Sequence, residues 1–152
     1  MNTTTAHKTR QIVLLIEDDA YEVSLARSAA AESCPKIELM VLESVDAVLD
    51  WLSITNKENV PLIIMLDLKL PKLEGLAVLR KLRMHDATRD IPVVAFSAEY
   101  TQDDMRMSYQ VGANTFVAKP ADLVQFSAFL REQTEYWMHS RQREIFMAGN
   151  NG

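Results

Sequence analysis

The sequence predicts an α/β fold, a flavodoxin-like, doubly wound (βα)5 domain with a parallel sheet of order 2-1-3-4-5. Three observations lead there. Short apolar runs alternate with amphipathic segments from Ile12 onward in a chain of 152 residues. The run Leu62-Ile63-Ile64-Met65-Leu66 contains no polar residue, as expected of a strand buried on both faces. That run stops at Asp67, and others also stop at polar residues, which places chemistry at the carboxyl edge where such sheets bind ligands.

Each element has its own signal. Ile12 to Ile16 is β-branched-rich and ends at Glu17-Asp18-Asp19. Residues 20–32 carry Val23, Ala26 and Ala30 at helical spacing, and Cys34-Pro35 breaks that helix. Ile37 to Leu42 reads as a second strand. Ser44 then caps a helix carrying Val45, Val48, Leu49 and Leu52. Pro61 introduces the third strand, Leu62 to Leu66, and Glu74 to Met84 forms a third helix. Pro92 introduces the fourth strand, Val93 to Phe96, which ends at Ser97. Thr101 is an N-cap, with Asp103 and Asp104 in the favourable first turn. Gly112 ends that helix. Thr115 to Ala118 is a short fifth strand ending at Lys119-Pro120. Asp122 and Gln125 form a variant capping box before a long helix carrying Leu123, Phe126, Leu130 and Trp137. Parallel strands joined by helices require right-handed crossovers, which put helices on both faces. The switch point falls between strands 1 and 3, where Glu17, Asp18 and Asp67 meet.

Composition narrows the function. A net charge of -5 argues against a nucleic-acid partner, and no apolar stretch approaches the length of a membrane span. The polar Met1 to Gln11 stretch is unlike a secretory signal. A single cysteine, Cys34, suits a reducing, cytoplasmic setting. The expected organisation is a flexible N-terminus over 1–10, one domain over 11–143 with an extended last helix, and a flexible tail over 144–152.

Four strand ends converge: Glu17-Asp18, Asp67, Ser97 and Lys119. Clustered carboxylates repel, and a divalent cation relieves that. Oxygen ligands in an open site suit Mg²⁺. A cation, a lysine and a serine hydroxyl together meet the needs of a phosphoryl group. Asp67 is then a third metal ligand or a nucleophile that forms an aspartyl phosphate. Taken singly, Asp18 and Asp19 could merely cap a helix, Ser97 could be a turn residue and Lys119 a solvated lysine. Asp67 is harder to explain that way, because an unpaired carboxylate at a buried strand end is costly. His7, His85 and His139 lie away from these ends.

This ordered set resembles the receiver domains of two-component response regulators over roughly residues 11–135. The resemblance implies that Asp67 accepts a phosphoryl group from a sensor histidine kinase. It implies Mg²⁺ held by Asp18, Glu17, Asp67 and the Lys69 carbonyl, with Ser97 and Lys119 serving the phosphoryl oxygens. It also implies a cis Lys119–Pro120 peptide. Such a protein is not an enzyme in the ordinary sense, since it catalyses only its own phosphorylation and dephosphorylation. The acid pair is Glu-Asp where Asp-Asp is also found. Phe116 aligns with the family's switch aromatic, often Tyr, and lacks the hydroxyl. Lys69 and Glu99 are expected to pair across the site mouth.

Beyond about residue 135 the chain leaves no room for an effector domain, so output through protein–protein contact is expected. Phe129 and Tyr136, like Leu130 and Trp137, are heptad-spaced. A homodimer face is expected from this helix with Met105, Tyr109 and the fifth strand; the competing reading folds the helix end back on its own domain. Ser108 to Asn114 and the aromatic tail resemble single-domain regulators that partner phytochromes, which implies a red-light-controlled kinase. The rival classes are a receiver-like binding module that is never phosphorylated, an aspartyl-phosphate hydrolase and a flavodoxin-like cofactor protein. The intact acidic and lysine positions oppose the first. The hydrolase needs Asp-x-Asp after strand 1, where this chain has Glu17-Asp18-Asp19. The cofactor protein needs a phosphate-cradling loop there instead of acids.

Overall fold

The structure, a computed structural model, describes residues 10–69 and 75–150. Its strands are β1 (Gln11–Ile16), β2 (Ile37–Leu42), β3 (Ile63–Asp67), β4 (Val93–Ser97) and β5 (Thr115–Ala118). Its helices are α1 (Ala20–Ser33), α2 (Val45–Ile54), α3 (Gly75–Met84), α4 (Gln102–Val111) and α5 (Leu123–Asn150). The strands form one parallel sheet in the order β2-β1-β3-β4-β5, as the alternation requires. Asp67 and Ser97 are the last residues of their strands. The expected start of the third helix at Glu74, residues 1–9 of the expected N-terminal segment and the last two residues of the tail lie outside the described residues.

The sheet separates two apolar layers. On one face Leu14, Ile16, Ile64, Leu66, Val93 and Ala95 meet Val48 and Leu52 of α2 and Val78, Leu79 and Leu82 of α3, with Met105 of α4 at the edge. On the other face Val13, Leu15, Ile63, Met65, Val94 and Phe96 meet Ala26 and Ala29 of α1 and Phe126 and Leu130 of α5. Every residue of β3 and β4 is buried, so the apolar runs without alternation are explained by helices on both sides. Side chains alternate along a strand, so Glu17, Asp67 and Lys119 continue the rows of Leu15, Met65 and Val117. That parity points them toward the α1–α5 face at the sheet's carboxyl edge.

The helix starts are held as their cap residues predict. Asp19 accepts the Glu22 N–H at 2.9 Å and Ser44 the Ala47 N–H at 3.0 Å. Thr101 and Asp104 form a complete capping box at α4. Asp122 Oδ1 accepts the Gln125 N–H at 2.8 Å, but Gln125 Oε1 returns to the N–H of Ala121 instead of that of Asp122. α4 stops at Gly112, whose φ of 131° excludes most side chains.

α5 runs through Asn150, past the boundary expected at residue 143. No glycine or proline occurs between Ala121 and Ala148 to end it. Phe129 and Trp137 pack against the α1–α5 core layer, and Trp137 Nε1 donates to Gln133 Oε1 at 3.2 Å. Tyr136 stays exposed and meets Trp137 edge-on with ring centroids 4.7 Å apart. Part of the helix end therefore folds onto its own domain.

The loop between α3 and β4 is organised by Arg83. Its guanidinium donates to the carbonyls of Gly112 (2.9 Å), Ile91 (2.7 Å), Arg89 (3.1 Å) and Thr88 (3.3 Å) and to Asn114 Oδ1 (2.8 Å). Asn114 Oδ1 also accepts the Val93 N–H at 2.8 Å. One side chain thus joins the end of α3, the entry to β4 and the entry to β5. Burial lowers its pKa, with Asp90 opposing.

Candidate functional site

The strand ends assemble as their register dictates. Ile16 is paired with Leu66, so Glu17 and Asp67 leave the sheet level with one another. Asp67 is opposite Phe96, and Ser97 opposite Ala118, so Lys119 emerges one residue beyond. Lys119 Nζ lies 2.6 Å from Glu17 Oε1 and 3.1 Å from Asp67 Oδ2, and 5.6 Å from the centre of the Phe96 ring. Glu17, Asp18 and Asp67 each present a carboxylate oxygen within 4.8 Å of the others.

Electrostatics here are severe. Glu17 is 1% exposed and Asp67 4%. Burial pushes the Glu17 carboxyl up to about 7; the adjacent Lys119 ammonium pulls it down and Asp67 pushes it up. Burial alone would lower the Lys119 pKa, but its two carboxylate neighbours outweigh that and raise it. Glu17 Oε2 faces the N–H groups of Asp18 (3.1 Å) and Asp19 (3.3 Å) at the turn into α1. Glu17 Oε1 touches Lys119 off the hydrogen-bonding direction, so this buried oxygen has no well-aligned donor. An under-satisfied buried carboxylate oxygen, a second buried carboxylate and the more open Asp18 form an all-oxygen donor set. That set fits a hard divalent cation.

The remaining residues take different positions. The Lys69 N–H donates to Asp67 Oδ1 at 2.9 Å, which orients that carboxylate. Its ammonium pairs with Asp104 Oδ2 at 3.5 Å, not with Glu99. The expected Lys69–Glu99 pair is therefore replaced, because α4 begins close enough to offer Asp104. Glu99 uses its backbone carbonyl, which accepts the Ser97 hydroxyl at 2.8 Å. Ser97 thus stands at the strand end as expected, with its hydroxyl turned along its own loop. The Lys119–Pro120 peptide is trans, against the expected cis bond. Trans is the lower-energy isomer, by about 0.5–1 kcal/mol, and Lys119 reaches both carboxylates in that form. Phe116 is buried and meets Tyr100 edge-on, with centroids 4.8 Å apart. The Phe116 N–H donates to the Tyr109 hydroxyl at 3.1 Å, leaving the Tyr109 ring partly exposed.

Sequence reasoning missed three contributors. Asp104 was legible as an acid suited to the first turn of a helix but not as the partner of Lys69. Tyr100 gave no signal. Gly75 is required because a Cβ there would lie 2.3 Å from the Leu68 carbonyl oxygen. Its absence lets α3 begin directly against the residue that follows Asp67.

Comparison with known proteins agrees with this arrangement. Residues 13–131 match the response regulator receiver domain family. The probable methanogenesis regulatory protein FilR2 of Methanothrix harundinacea is 30% identical over 129 residues, covering 84% of this chain and 83% of that protein. Response regulator Rcp1 of Synechocystis is 27% identical over 133 residues, covering 86% of this chain and 90% of its own length. A structure of the Mn(2+)-bound form of Rcp1 is similar with a TM-score of 0.70 and 28% identity, over 84% of this chain and 94% of that one. The phosphorylated cyanobacterial phytochrome response regulator RcpA is similar with a TM-score of 0.74 and 28% identity, over 86% of this chain and 96% of that one. No described helix is long and apolar enough to cross a membrane. With the ordered strand-end acids and lysine gathered into one site, this chain belongs to the response regulator receiver domain family.

Proposed function

We propose that this chain takes a phosphoryl group from a histidine kinase onto Asp67 and passes the signal on by protein–protein contact. The observation that carries this is Lys119 spanning Glu17 and Asp67, with Asp18 in the same cluster. A carboxylate oxygen of Asp67 attacks phosphorus, the phosphorus–nitrogen bond to the donor imidazole breaks, and the imidazole leaves. The Lys69 N–H holds Asp67 Oδ1, so the attacking group is oriented before the donor arrives. Lys119 follows the charge from the carboxylate to the phosphoryl oxygens. Ser97 serves the same oxygens once its hydroxyl turns from the Glu99 carbonyl. Glu17, Asp18, Asp67 and the Lys69 carbonyl would hold Mg²⁺, which supplies charge neutralisation for the transferring group.

Likeness to the cyanobacterial phytochrome response regulator RcpA supports a phytochrome-type kinase as donor. The exposed Tyr109 and Tyr136 suit a homodimer face, with Phe129 and Trp137 bracing it from the core side. Incubation with acetyl phosphate and Mg²⁺ tests the central step. Hydroxylamine-labile phosphate that disappears in Asp67→Asn and on chelation supports it. Phosphate that survives Asp67→Asn overturns it. Sedimentation tests the dimer, and a concentration-independent monomer with and without phosphate would remove it.

A further inference from the structure

We propose that the Lys69–Asp104 ion pair is a charge-sensitive tie between the acceptor loop and α4, and that Asp104 transmits charge added at Asp67 to that helix. The inference rests on Asp67 being the phosphoryl acceptor.

The geometry makes Lys69 serve two ends at once. Its main-chain N–H is bound to Asp67 Oδ1, and its ammonium lies at Asp104 Oδ2. The same Asp104 oxygen accepts the Thr101 N–H at 2.9 Å, while the Asp104 N–H donates to Thr101 Oγ1 at 3.1 Å. One carboxylate oxygen therefore closes the capping box of α4 and holds the acceptor loop. The Thr101 N–H is the main cause of the lowered Asp104 pKa, partly opposed by desolvation, and Lys69 lowers it further. Asp104 is thus anionic throughout the neutral range and always available to the ammonium.

Exposure suits a contact that breaks and reforms. The Lys69 and Asp104 side chains are 48% and 38% exposed, so solvent screens the pair. Lys119 cannot take this role, because it is 10% exposed and already spans Glu17 and Asp67. Converting the Asp67 carboxylate to an acyl phosphate adds negative charge beside the stem of Lys69. Its flexible four-carbon stem lets the ammonium turn toward that charge. Asp104 then retains only its capping contacts, and the first turn of α4 loses its link to the loop after β3. Tyr100, just before the cap, meets Phe116 edge-on, so loosening this turn also frees the aromatic pair.

Amide hydrogen exchange on the full chain tests this, with acetyl phosphate and Mg²⁺ as the load and intact mass reporting phosphoryl uptake. In the wild type, loading should speed exchange at the Asp104 and Met105 amides about two- to fivefold, the range an exposed pair supports. Asp104→Asn keeps an oxygen for the Thr101 N–H and removes the charge. It should load as the wild type does, yet show no change in exchange on loading. Asp104→Glu should restore part of the response. Exchange that is unchanged in a wild-type chain carrying phosphate overturns the inference and leaves the acceptor reading intact. A wild-type response in Asp104→Asn does the same. Absence of phosphoryl uptake by the wild type overturns both.

Discussion

Glu17 should release a proton when a divalent cation enters the acidic cluster, and the amount should fall steeply with pH. Its carboxyl sits at about 7, raised first by burial, opposed by Lys119 and reinforced by Asp67. A group at that value is about 0.9 protonated at about pH 6 and about 0.1 at about pH 8. Cation binding requires the anion, so the proton released per ion should follow those fractions. The same shift sets a stability trend in chelator. A folded-state pKa raised above 4.5 contributes stability that is full below about 4.5 and lost as pH rises through about 7. The ceiling on that contribution is about 3 kcal/mol. Lys119 adds no pH dependence to this window, because the stability from its raised pKa is fully present below 10.5 and is lost only as pH rises beyond it. Calorimetric titration with Mg²⁺ in two buffers of different ionisation heat reads the proton release. Urea midpoints in chelator read the stability, taken as wild type minus Glu17→Gln. Release below about 0.3 proton at pH 6, or a difference in stability that grows from pH 6 to pH 8, would refute the reasoning.

Three further outcomes follow from the packing. Arg83→Ala removes five hydrogen bonds, to four carbonyls and Asn114 Oδ1, and should cost about 3–5 kcal/mol, read as a fall in urea midpoint. Arg83→Lys should recover less than half, because lysine lacks the planar fork; wild-type stability in that variant would contradict the network. Gly75→Ala drives a methyl into the Leu68 backbone and should cost more than ~2 kcal/mol by the same assay. It should also slow phosphoryl uptake from acetyl phosphate, since Leu68 follows Asp67. Thr101→Ala should lose about 1 kcal/mol and Thr101→Ser almost none, as expected when the hydroxyl oxygen holds the Asp104 N–H.

Several elements were legible residue by residue. β2 and β5 run over Ile37–Leu42 and Thr115–Ala118 as their apolar patterns indicate, and Ser44 and Thr101 cap where their side chains suit a helix start. These features depend on neighbours within a few positions. Long-range partners were legible only in part. Glu17, Asp67 and Lys119 could be brought together because parallel topology puts all strand ends at one edge. The partner of Lys69 could not, since the choice between Glu99 and Asp104 depends on where α4 sits over that edge. Similarly, the five acceptors around Arg83 lie on two separate segments, 88–91 and 112–114, and no spacing in the chain joins them to it.

From the sequence alone came the alternation of strands and helices, the buried central strands, the caps and the residue types at the carboxyl edge. Hydrophobic period and local hydrogen bonding suffice for these. Tertiary structure decided the rest: the Ser97 hydroxyl turned to Glu99, the trans Lys119–Pro120 bond, Trp137 folded onto its own core and the Lys69–Asp104 tie. Each depends on distances between elements set by packing around the whole sheet, and a one-dimensional pattern does not carry those distances.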